Sequence, residues 1–262
     1  MKPLRAIAFA MLLIAGDIAA ATDAAEISET QRRSGFSFMA PETQAMQNDD
    51  TANPGMLWVL DGEKLWNSRT GADNKACADC HNDTHASMRG VAARYPAFDP
   101  VLGQPVNLEQ RINLCRVRHQ QATPLPYESH ELLALTAFVA QQSRGMAIAP
   151  DPDPRLAPYL AKGHDLFLHR QGQLNLACAN CHNDNWEKHL AGSAITQAQP
   201  TGYPLYRLEW QSLGSLERRL RNCMIGTRAQ PYDYGAPELV DLELYLMSRA
   251  QGMPVETPAV RP

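Results

Sequence analysis

Apolar residues recur at intervals of three or four positions in two segments of the chain, 131–139 and 238–246. The recurring positions form one face of each segment: Leu132, Leu135, Phe138 and Val139 in the first, and Leu239, Leu242, Tyr245 and Leu246 in the second. This spacing predicts two amphipathic helices that pack by their apolar faces. No stretch alternates apolar and polar residues over a convincing length, so no β-strand is predicted. The pattern therefore predicts a mainly α protein.

These two helices end the halves of a tandem repeat. The segment GEKLWNSRTGADNKACADCHND (62–83) is matched by GHDLFLHRQGQLNLACANCHND (163–184), and EQRINLC (109–115) is matched by ERRLRNC (217–223). Matching residues are 101 positions apart at the first pair and 108 apart at the second, so the second half carries seven additional residues between them. Each half is predicted to run helix, C-x-x-C-H, loop, helix, helix. Asn107 is expected to cap the helix that carries Cys115, with Gln110 three residues on.

The repeat and the composition around it predict how the chain is divided. The predicted segments are a signal peptide (1–21), an N-terminal extension that is loosely ordered or wrapped on the surface (22–54), unit 1 (55–147), a proline-rich linker (148–158), unit 2 (159–253) and a tail (254–262).

The first segment has the composition of an export signal. Lys2 and Arg5 precede a short apolar run, 6–15, and small residues follow it. The run is too short for a stable bilayer anchor, although an uncleaved anchor is the alternative. We expect a periplasmic protein with no stable membrane insertion. The net charge is only −4 and no basic tail is present, which argues against a nucleic-acid partner.

Four of the six cysteines lie in two C-x-x-C-H motifs. The motifs are Cys77-Ala78-Asp79-Cys80-His81 and Cys178-Ala179-Asn180-Cys181-His182. This spacing is typical of covalent haem c attachment, in which two thiols bind the vinyl groups and the histidine becomes the proximal iron ligand. A redox disulfide or half a zinc site would also use C-x-x-C, but neither explains a histidine directly after both motifs. The sequence predicts two class I cytochrome c-like units, each holding one covalent haem c.

The remaining cysteines, Cys115 and Cys223, occupy equivalent places in the two halves. In an exported protein they could form a disulfide with each other. Equivalent places favour equivalent roles instead, and the role available in each half is the sixth ligand of the haem iron. Methionine is the common sixth ligand in electron-transfer cytochromes. Met146 and Met253 are repeat partners, but they follow the last helix of each half, where packing is the expected role.

Arginine accompanies each of these cysteines. Arg219 precedes Cys223 by four residues, and Arg111 has the same relation to Cys115, so on a helix each pair shares a face. A guanidinium binds oxyanions through a planar fork of donors. Thiosulfate could place its soft sulfur on Cys223 and its oxygens on Arg219. For the nearby Arg221 and Arg228 a solvated face is the simpler interpretation.

The stretch R-x-x-x-C-M-x-G-T-R at 219–228, together with CANCHND at 178–184, resembles the SoxA family, and the resemblance covers essentially the whole chain after the signal peptide. SoxA is the catalytic dihaem subunit of the SoxAX complex, an L-cysteine S-thiosulfotransferase. The resemblance implies that thiosulfate is conjugated oxidatively to a cysteine of the SoxYZ carrier protein and that electrons pass to the partner cytochrome SoxX.

The resemblance also implies a role for each site residue. The four thiols that would attach the haems are Cys77, Cys80, Cys178 and Cys181. The axial pairs would be His81 with Cys115 in the first half and His182 with Cys223 in the second, catalytic half. Cys223 would be the catalytic residue, carried as a persulfide in the family, and Arg219 would bind substrate.

Two other functions remain open on the sequence. One is a thiosulfate dehydrogenase, which couples two thiosulfates into tetrathionate and would need no carrier protein. The other is a non-catalytic dihaem electron carrier, which would need neither a cysteine ligand nor an arginine beside it.

Overall fold

The computed structural model describes residues 27–262, so the predicted signal peptide and the first residues of the extension lie outside the described part. The described extension contains two 3₁₀-helices, Glu29–Gln31 and Gly35–Phe38, and helix α1 (Pro41–Asn48). It lies on the second half of the molecule. Arg33 donates its backbone N–H to Gln197 Oε1 at 2.7 Å, and Gln47 Oε1 accepts from the backbone N–H of Val260 at 3.1 Å.

The first half is built from five α-helices and one hairpin. Its elements are α2 (Gly55–Asn67), α3 (Ala78–His81), α4 (Thr84–Ser87), β1 (Ala97–Asp99), β2 (Gln104–Val106), α5 (Leu108–Cys115) and α6 (His130–Gln141), with a 3₁₀-helix at Ala92–Arg94 and a π-helical segment at Arg116–Gln120. Asn107 caps α5 as predicted. Its side chain accepts from the N–H of Gln110 at 2.9 Å, and Gln110 Oε1 accepts from the N–H of Asn107 at 3.0 Å.

The second half repeats this order. Its elements are α7 (Ala157–Leu168), α8 (Cys178–His182), β3 (His189–Leu190), β4 (Ser193–Ala194), β5 (Leu205–Arg207), β6 (Ser212–Gly214), α9 (Leu216–Gly226) and α10 (Pro237–Arg249), preceded by a 3₁₀-helix at Pro154–Leu156. The additional residues of this half fall between α8 and β5, where it forms the β3–β4 hairpin. The mainly α architecture of two tandem cytochrome c-like units is confirmed.

The short strands were not predicted. Each contains only two or three residues, too few for an apolar–polar alternation to be detectable. Residues 254–262, assigned above to a tail, contribute strand β7 (Ala259–Arg261), which pairs in parallel with β5 and completes the sheet β6-β5-β7. Ala259 and Val260 are fully buried there. The sheet gains a strand on an edge of β5 that would otherwise be unpaired.

Segments that match each other in the repeat also contact each other between the halves. The N–H of Ile148 donates to Met253 O at 2.8 Å, and the N–H of Val255 donates to Met146 O at 2.9 Å. The rings of Tyr127 and Tyr234 stack with centroids 5.9 Å apart. Contact between equivalent segments is what an approximate two-fold axis between the halves produces.

Within each half, a glycine allows the first helix to lie directly against the last. A Cβ on Gly62 of α2 would lie 2.1 Å from the carbonyl oxygen of Ala134 in α6, and a Cβ on Gly163 of α7 would lie 2.0 Å from that of Asp241 in α10. These distances are far inside van der Waals contact and involve backbone atoms, which cannot simply rotate away. The equivalent glycines therefore set the distance between the helices that enclose each haem motif.

We expect Gly62→Ala or Gly163→Ala to lower the free energy of unfolding of the holoprotein by about 1–3 kcal/mol, because the added methyl overpacks a helix crossing. Chemical denaturation followed by circular dichroism measures this. Gly226→Ala is the matched control, since a Cβ at this end of α9 meets nothing within 4 Å. Equal stability of all three variants and the wild type would contradict the close-approach interpretation.

Buried carboxyl groups also meet between the halves. Glu217 accepts from Asn107 Nδ2 at 3.0 Å and from the N–H of Gly235 at 2.7 Å, and Asn107 also lies 3.4 Å from Glu243. Burial raises the pKa of Glu217 to about 7. Burial, with repulsion from Glu217, raises the pKa of Glu109 to about 8. The folded protein thus holds protons here that an unfolded chain releases near pH 4.

This cluster predicts that stability falls as pH rises from 5 to 8. A folded pKa above the unfolded value contributes stability at low pH that is lost as the pH passes through the folded pKa. The Glu217→Gln variant should have a shallower decline, by on the order of 2 kcal/mol over that range. Unfolding free energies at several pH values measure the slope, with Glu42→Gln, at an exposed carboxyl, as control. A Glu217→Gln slope equal to that of the wild type would refute the assignment.

Candidate active site

Each C-x-x-C-H motif forms a short helix that is capped by a residue of the motif itself. In the second half the Asn180 side chain accepts from the N–H of Ala177 at 3.0 Å, and in the first half Asp79 accepts from the N–H of Ala76 at 2.9 Å. This bond closes the helix start just before the first cysteine. It holds the two thiols and the histidine of each motif on one helical turn.

In the second half, the predicted axial pair meets in one cavity. His182, the last residue of α8, places Nδ1 2.6 Å from the carbonyl oxygen of Thr196. Because a carbonyl only accepts, Nδ1 donates to Thr196, and Nε2 is left for a second partner. Cys223 of α9 lines the same cavity and interacts with His182, which lowers the pKa of its thiol. His182 and Cys223 are thus the residues of the second half that would hold a haem iron.

The cavity at this point has a volume of about 310 Å³. Its lining combines apolar side chains, including Phe38, Leu220 and Leu246, with His182, Cys223 and two arginines, Arg207 and Arg219. An imidazole nitrogen, a thiol sulfur, an apolar wall and two attachment thiols on the adjacent helix fit the requirements of a haem c. The residues that would hold it are Cys178, Cys181, His182 and Cys223.

The two equivalent cysteines differ in electrostatics. Burial raises the pKa of Cys115, and the charges of Arg111 and Arg118 do not offset this. Burial acts in the same direction on Cys223, but the hydrogen bond from His182 and the charges of Arg219 and Arg207 outweigh it, so the pKa of Cys223 lies below its ordinary value. The second half thus favours a thiolate, the form that binds iron and attacks sulfur.

The first half brings three cysteines together but not the axial pair. Cys115, at the end of α5, interacts electrostatically with both Cys77 and Cys80. The His81 ring lies 5.3 Å from the ring of Trp66, and burial lowers the pKa of His81. Within residues 27–262 no hydrogen bond joins His81 to Cys115, in contrast to His182 and Cys223. The two predicted ligands of the first half are thus less closely associated than those of the second half.

The structure excludes one of the roles considered for the remaining cysteines. All six cysteines are free thiols, so Cys115 and Cys223 do not form a disulfide. Met253 packs against a buried cluster that contains Ile148 and Met247, as expected for a packing residue. The assignment of Cys115 and Cys223 as sixth ligands stays a prediction.

Three residues of the site were missed by the sequence analysis. They are Thr196, whose carbonyl orients His182, and Tyr203 and Arg207, which line the cavity. The sequence gives no signal for Thr196, because the group that binds His182 is a backbone carbonyl, which every residue has. Arg207 could have been found, because its repeat counterpart in the first half is Asp99, which has the opposite charge.

Fold and site together define a tandem c-type cytochrome in whose second unit a cysteine and the motif histidine line one cavity. A sequence model described as "SoxA/TsdA, cytochrome c domain" matches residues 61–148 and 162–255. The chain belongs to the SoxA family.

Individual relatives agree over most of the chain. It is 40% identical to the L-cysteine S-thiosulfotransferase subunit SoxA of Pseudaminobacter salicylatoxidans and 37% identical to that of Rhodovulum sulfidophilum. Each match covers 87% of this chain and 80% of the relative. The crystal structure of SoxXA from P. pantotrophus superposes with a TM-score of 0.85 at 32% identity, covering 88% of this chain and 87% of that one.

Exchanging each cysteine for methionine tests the ligand assignments. We expect Cys223→Met to remove a thiolate-ligated low-spin signal from one haem and raise its reduction potential, because methionine is neutral. The shift should be a clear fraction of the ~0.8 V that axial ligands span. Cys115→Met should do the same to the other haem alone. Electron paramagnetic resonance and potentiometric titration provide the readouts. A Cys223→Met spectrum identical to wild type would exclude Cys223 as a ligand.

Proposed function

We propose that this chain is the catalytic subunit of an L-cysteine S-thiosulfotransferase and that its second half carries out the reaction. The observation that carries the proposal is Cys223, a half-buried thiol with a lowered pKa that shares its cavity with His182 and two arginines. The names of the SoxA relatives support the reaction class. The SoxXA structure supports a SoxX-type cytochrome as partner.

The proposed cofactors are two covalent haems c. Cys77 and Cys80 would attach the first, with His81 and Cys115 as its axial ligands. Cys178 and Cys181 would attach the second, with His182 and Cys223. A haem bound in this way accepts electrons one at a time. A reaction that releases two electrons therefore needs a second acceptor, which the partner cytochrome would supply.

In the proposed mechanism Arg219 binds the oxygens of thiosulfate and directs its terminal sulfur to Cys223. The Cys223 thiolate and thiosulfate form a sulfur–sulfur bond, and two electrons leave, giving a cysteine S-thiosulfonate. A thiolate of the SoxYZ carrier then attacks the sulfur that Cys223 has bound. The new bond carries the thiosulfonate group to the carrier, and Cys223 leaves as a thiolate. Covalent catalysis of this kind divides one difficult step into two.

The cavity supports this sequence in two ways. The Arg219 guanidinium lies next to Cys223, and the negative charge of Cys223 raises the pKa of Arg219, although burial acts against this. A negatively charged substrate can thus approach a negatively charged sulfur, because positive charge lies beside both. His182 is held by Thr196 and keeps Nε2 directed at the cysteine.

The proposed location is the periplasm, where haem c is attached and where the export signal would send the chain. No helix within residues 27–262 is long and apolar enough to cross a membrane.

The test uses the holoprotein with its partner cytochrome, thiosulfate and a carrier protein with one reactive cysteine. We expect the carrier to gain a thiosulfonate group, detected by mass spectrometry, as the cytochrome is reduced. Cys223→Ala should lower the rate at least a hundredfold, because the nucleophile is lost. Cys115→Ala, its repeat counterpart, controls for loss of any cysteine ligand. The spectrum of the other haem reports whether each variant is folded.

Two outcomes would overturn the proposal. Tetrathionate formed from thiosulfate without any carrier would identify a thiosulfate dehydrogenase. A Cys223→Ala variant that still passes electrons at the wild-type rate, with no carrier adduct in either protein, would identify an electron carrier.

A further inference from the structure

The two halves carry opposite charges at one matched position. Strand β1 reads Ala97-Phe98-Asp99 and strand β5 reads Leu205-Tyr206-Arg207, and each follows a Tyr-Pro pair. In the hairpins, Asp99 is opposite Gln104 and Arg207 is opposite Ser212, at the same register. The position in the hairpin is thus the same in both halves, and the charge of its side chain is reversed.

In the first half, Asp99 neutralises the arginine that accompanies the cysteine. Asp99 is 1% exposed and forms ion pairs with Arg111 at 2.9 Å and with Arg118 at 3.0 Å. Arg111 Nε also donates to the hydroxyl of Tyr95 at 3.0 Å. The donors beside Cys115 are thus committed to groups of the protein. The Arg111 guanidinium is already paired with a buried carboxylate, which weakens its attraction for a bound anion.

In the second half, the counterpart arginine lacks these partners. Arg219 corresponds to Arg111 and Tyr203 corresponds to Tyr95. In the part of the chain that the structure describes, however, the Arg219 guanidinium forms neither a hydrogen bond nor an ion pair, and the Tyr203 hydroxyl forms no hydrogen bond. Both residues line the cavity that contains Cys223. The reversal from Asp99 to Arg207 thus removes the carboxylate that would neutralise Arg219.

Arg207 adds a second positive charge to the same cavity. Its side chain is 13% exposed, and Nε donates to the main-chain oxygen of Pro262, the last residue, at 2.8 Å. Its ion pair with Glu209, at 2.8 Å, involves a carboxylate that is 66% exposed, so water weakens it. Burial, followed by repulsion from Arg219, lowers the pKa of Arg207. Two mutually repelling guanidinium groups on one cavity wall form a site for an anion with several oxygens.

We propose that Arg207 binds the substrate together with Arg219 by holding the sulfonate oxygens of thiosulfate, and that Asp99 at the matched position prevents the first half from binding it. The proposal rests on the function proposed above and deepens it. It explains why two halves with the same cysteine, arginine and tyrosine would differ in activity. One side-chain charge would decide which half receives the anion.

The experiment compares Arg207→Gln, Arg207→Asp and Arg207→Lys in the holoprotein bound to its partner cytochrome. Loss of a charge-assisted hydrogen bond should raise KM for thiosulfate about tenfold in Arg207→Gln, with a smaller effect on kcat. Arg207→Asp should raise KM further, because it restores the arrangement of the first half, and Arg207→Lys should recover part of the affinity. Arg89→Gln, which removes an exposed arginine from the first half, controls for net charge.

A second readout does not depend on turnover. Thiosulfate or sulfate is titrated into the oxidised complex without a carrier protein, and binding is measured from the change in the haem spectrum. Arg207→Gln should weaken the binding of both anions about tenfold, and the Asp99→Asn variant should weaken the binding of neither. If the wild type forms no carrier adduct but anion binding still depends on Arg207, the proposed function is wrong and the assignment of Arg207 to an anion site is supported.

Unchanged KM and unchanged anion affinity in Arg207→Gln and Arg207→Asp would overturn the proposal. An Arg207→Gln variant with a shifted haem potential but normal thiosulfate affinity would also overturn it, because Arg207 would then hold a haem propionate. Haem content and thermal unfolding of each variant show that the folded holoprotein is being compared.

Discussion

The second half depends on the stabilisation of a negative charge on a half-buried sulfur, that of Cys223. Removing Cys223 from water alone would favour the neutral thiol, which is a poor ligand and a poor nucleophile. The hydrogen bond from His182 and the charges of Arg219 and Arg207 reverse that preference. Each of these groups is positioned by something else in turn: His182 by the Thr196 carbonyl, Arg219 by its place one turn before Cys223 on α9, and Arg207 by the sheet.

The internal repeat provides a natural comparison with nearly constant backbone. Cys115 has an arginine one turn before it and a tyrosine beside that arginine, as Cys223 does, yet burial dominates and its pKa is raised. The difference lies in whether the arginine one turn before the cysteine is paired with a buried carboxylate. In the first half Asp99 forms ion pairs with Arg111 and Arg118, whereas in the second half no carboxylate occupies that position. A cysteine beside an arginine is therefore not by itself an anion site. The arginine can bind an anion only if it is not already paired with a carboxylate of the protein.

The elements and site residues that sequence reasoning found share a property: their signal is local. The C-x-x-C-H motifs, the apolar faces of α6 and α10 and the Asn107 cap each depend on residues within a few positions of one another. The elements that sequence reasoning missed depend on contacts between residues far apart in the chain. Strand β7 exists because residues 259–261 lie beside β5, some 54 positions earlier in the chain. The repeat itself held one further signal, the reversal from Asp99 to Arg207, which only has meaning once β1 and β5 are known to be hairpin strands beside the cysteines.

The two halves differ in what supports the hairpin beside the cysteine. The β5–β6 hairpin that supports Arg207 is bordered by β7, which comes from the end of the chain, and β7 is held by Gln47 of the extension. Among residues 27–262, no third strand joins the hairpin of the first half, since β1 pairs there only with β2. The extension and strand β7, which lie outside the repeat, both pack on the second half. They support the strand that carries Arg207, and the extension contributes Phe38 to the cavity wall. Under the proposed role, a side chain that holds an anion beside a repelling neighbour benefits from a rigid support, and segments outside the repeat provide that support to the second half.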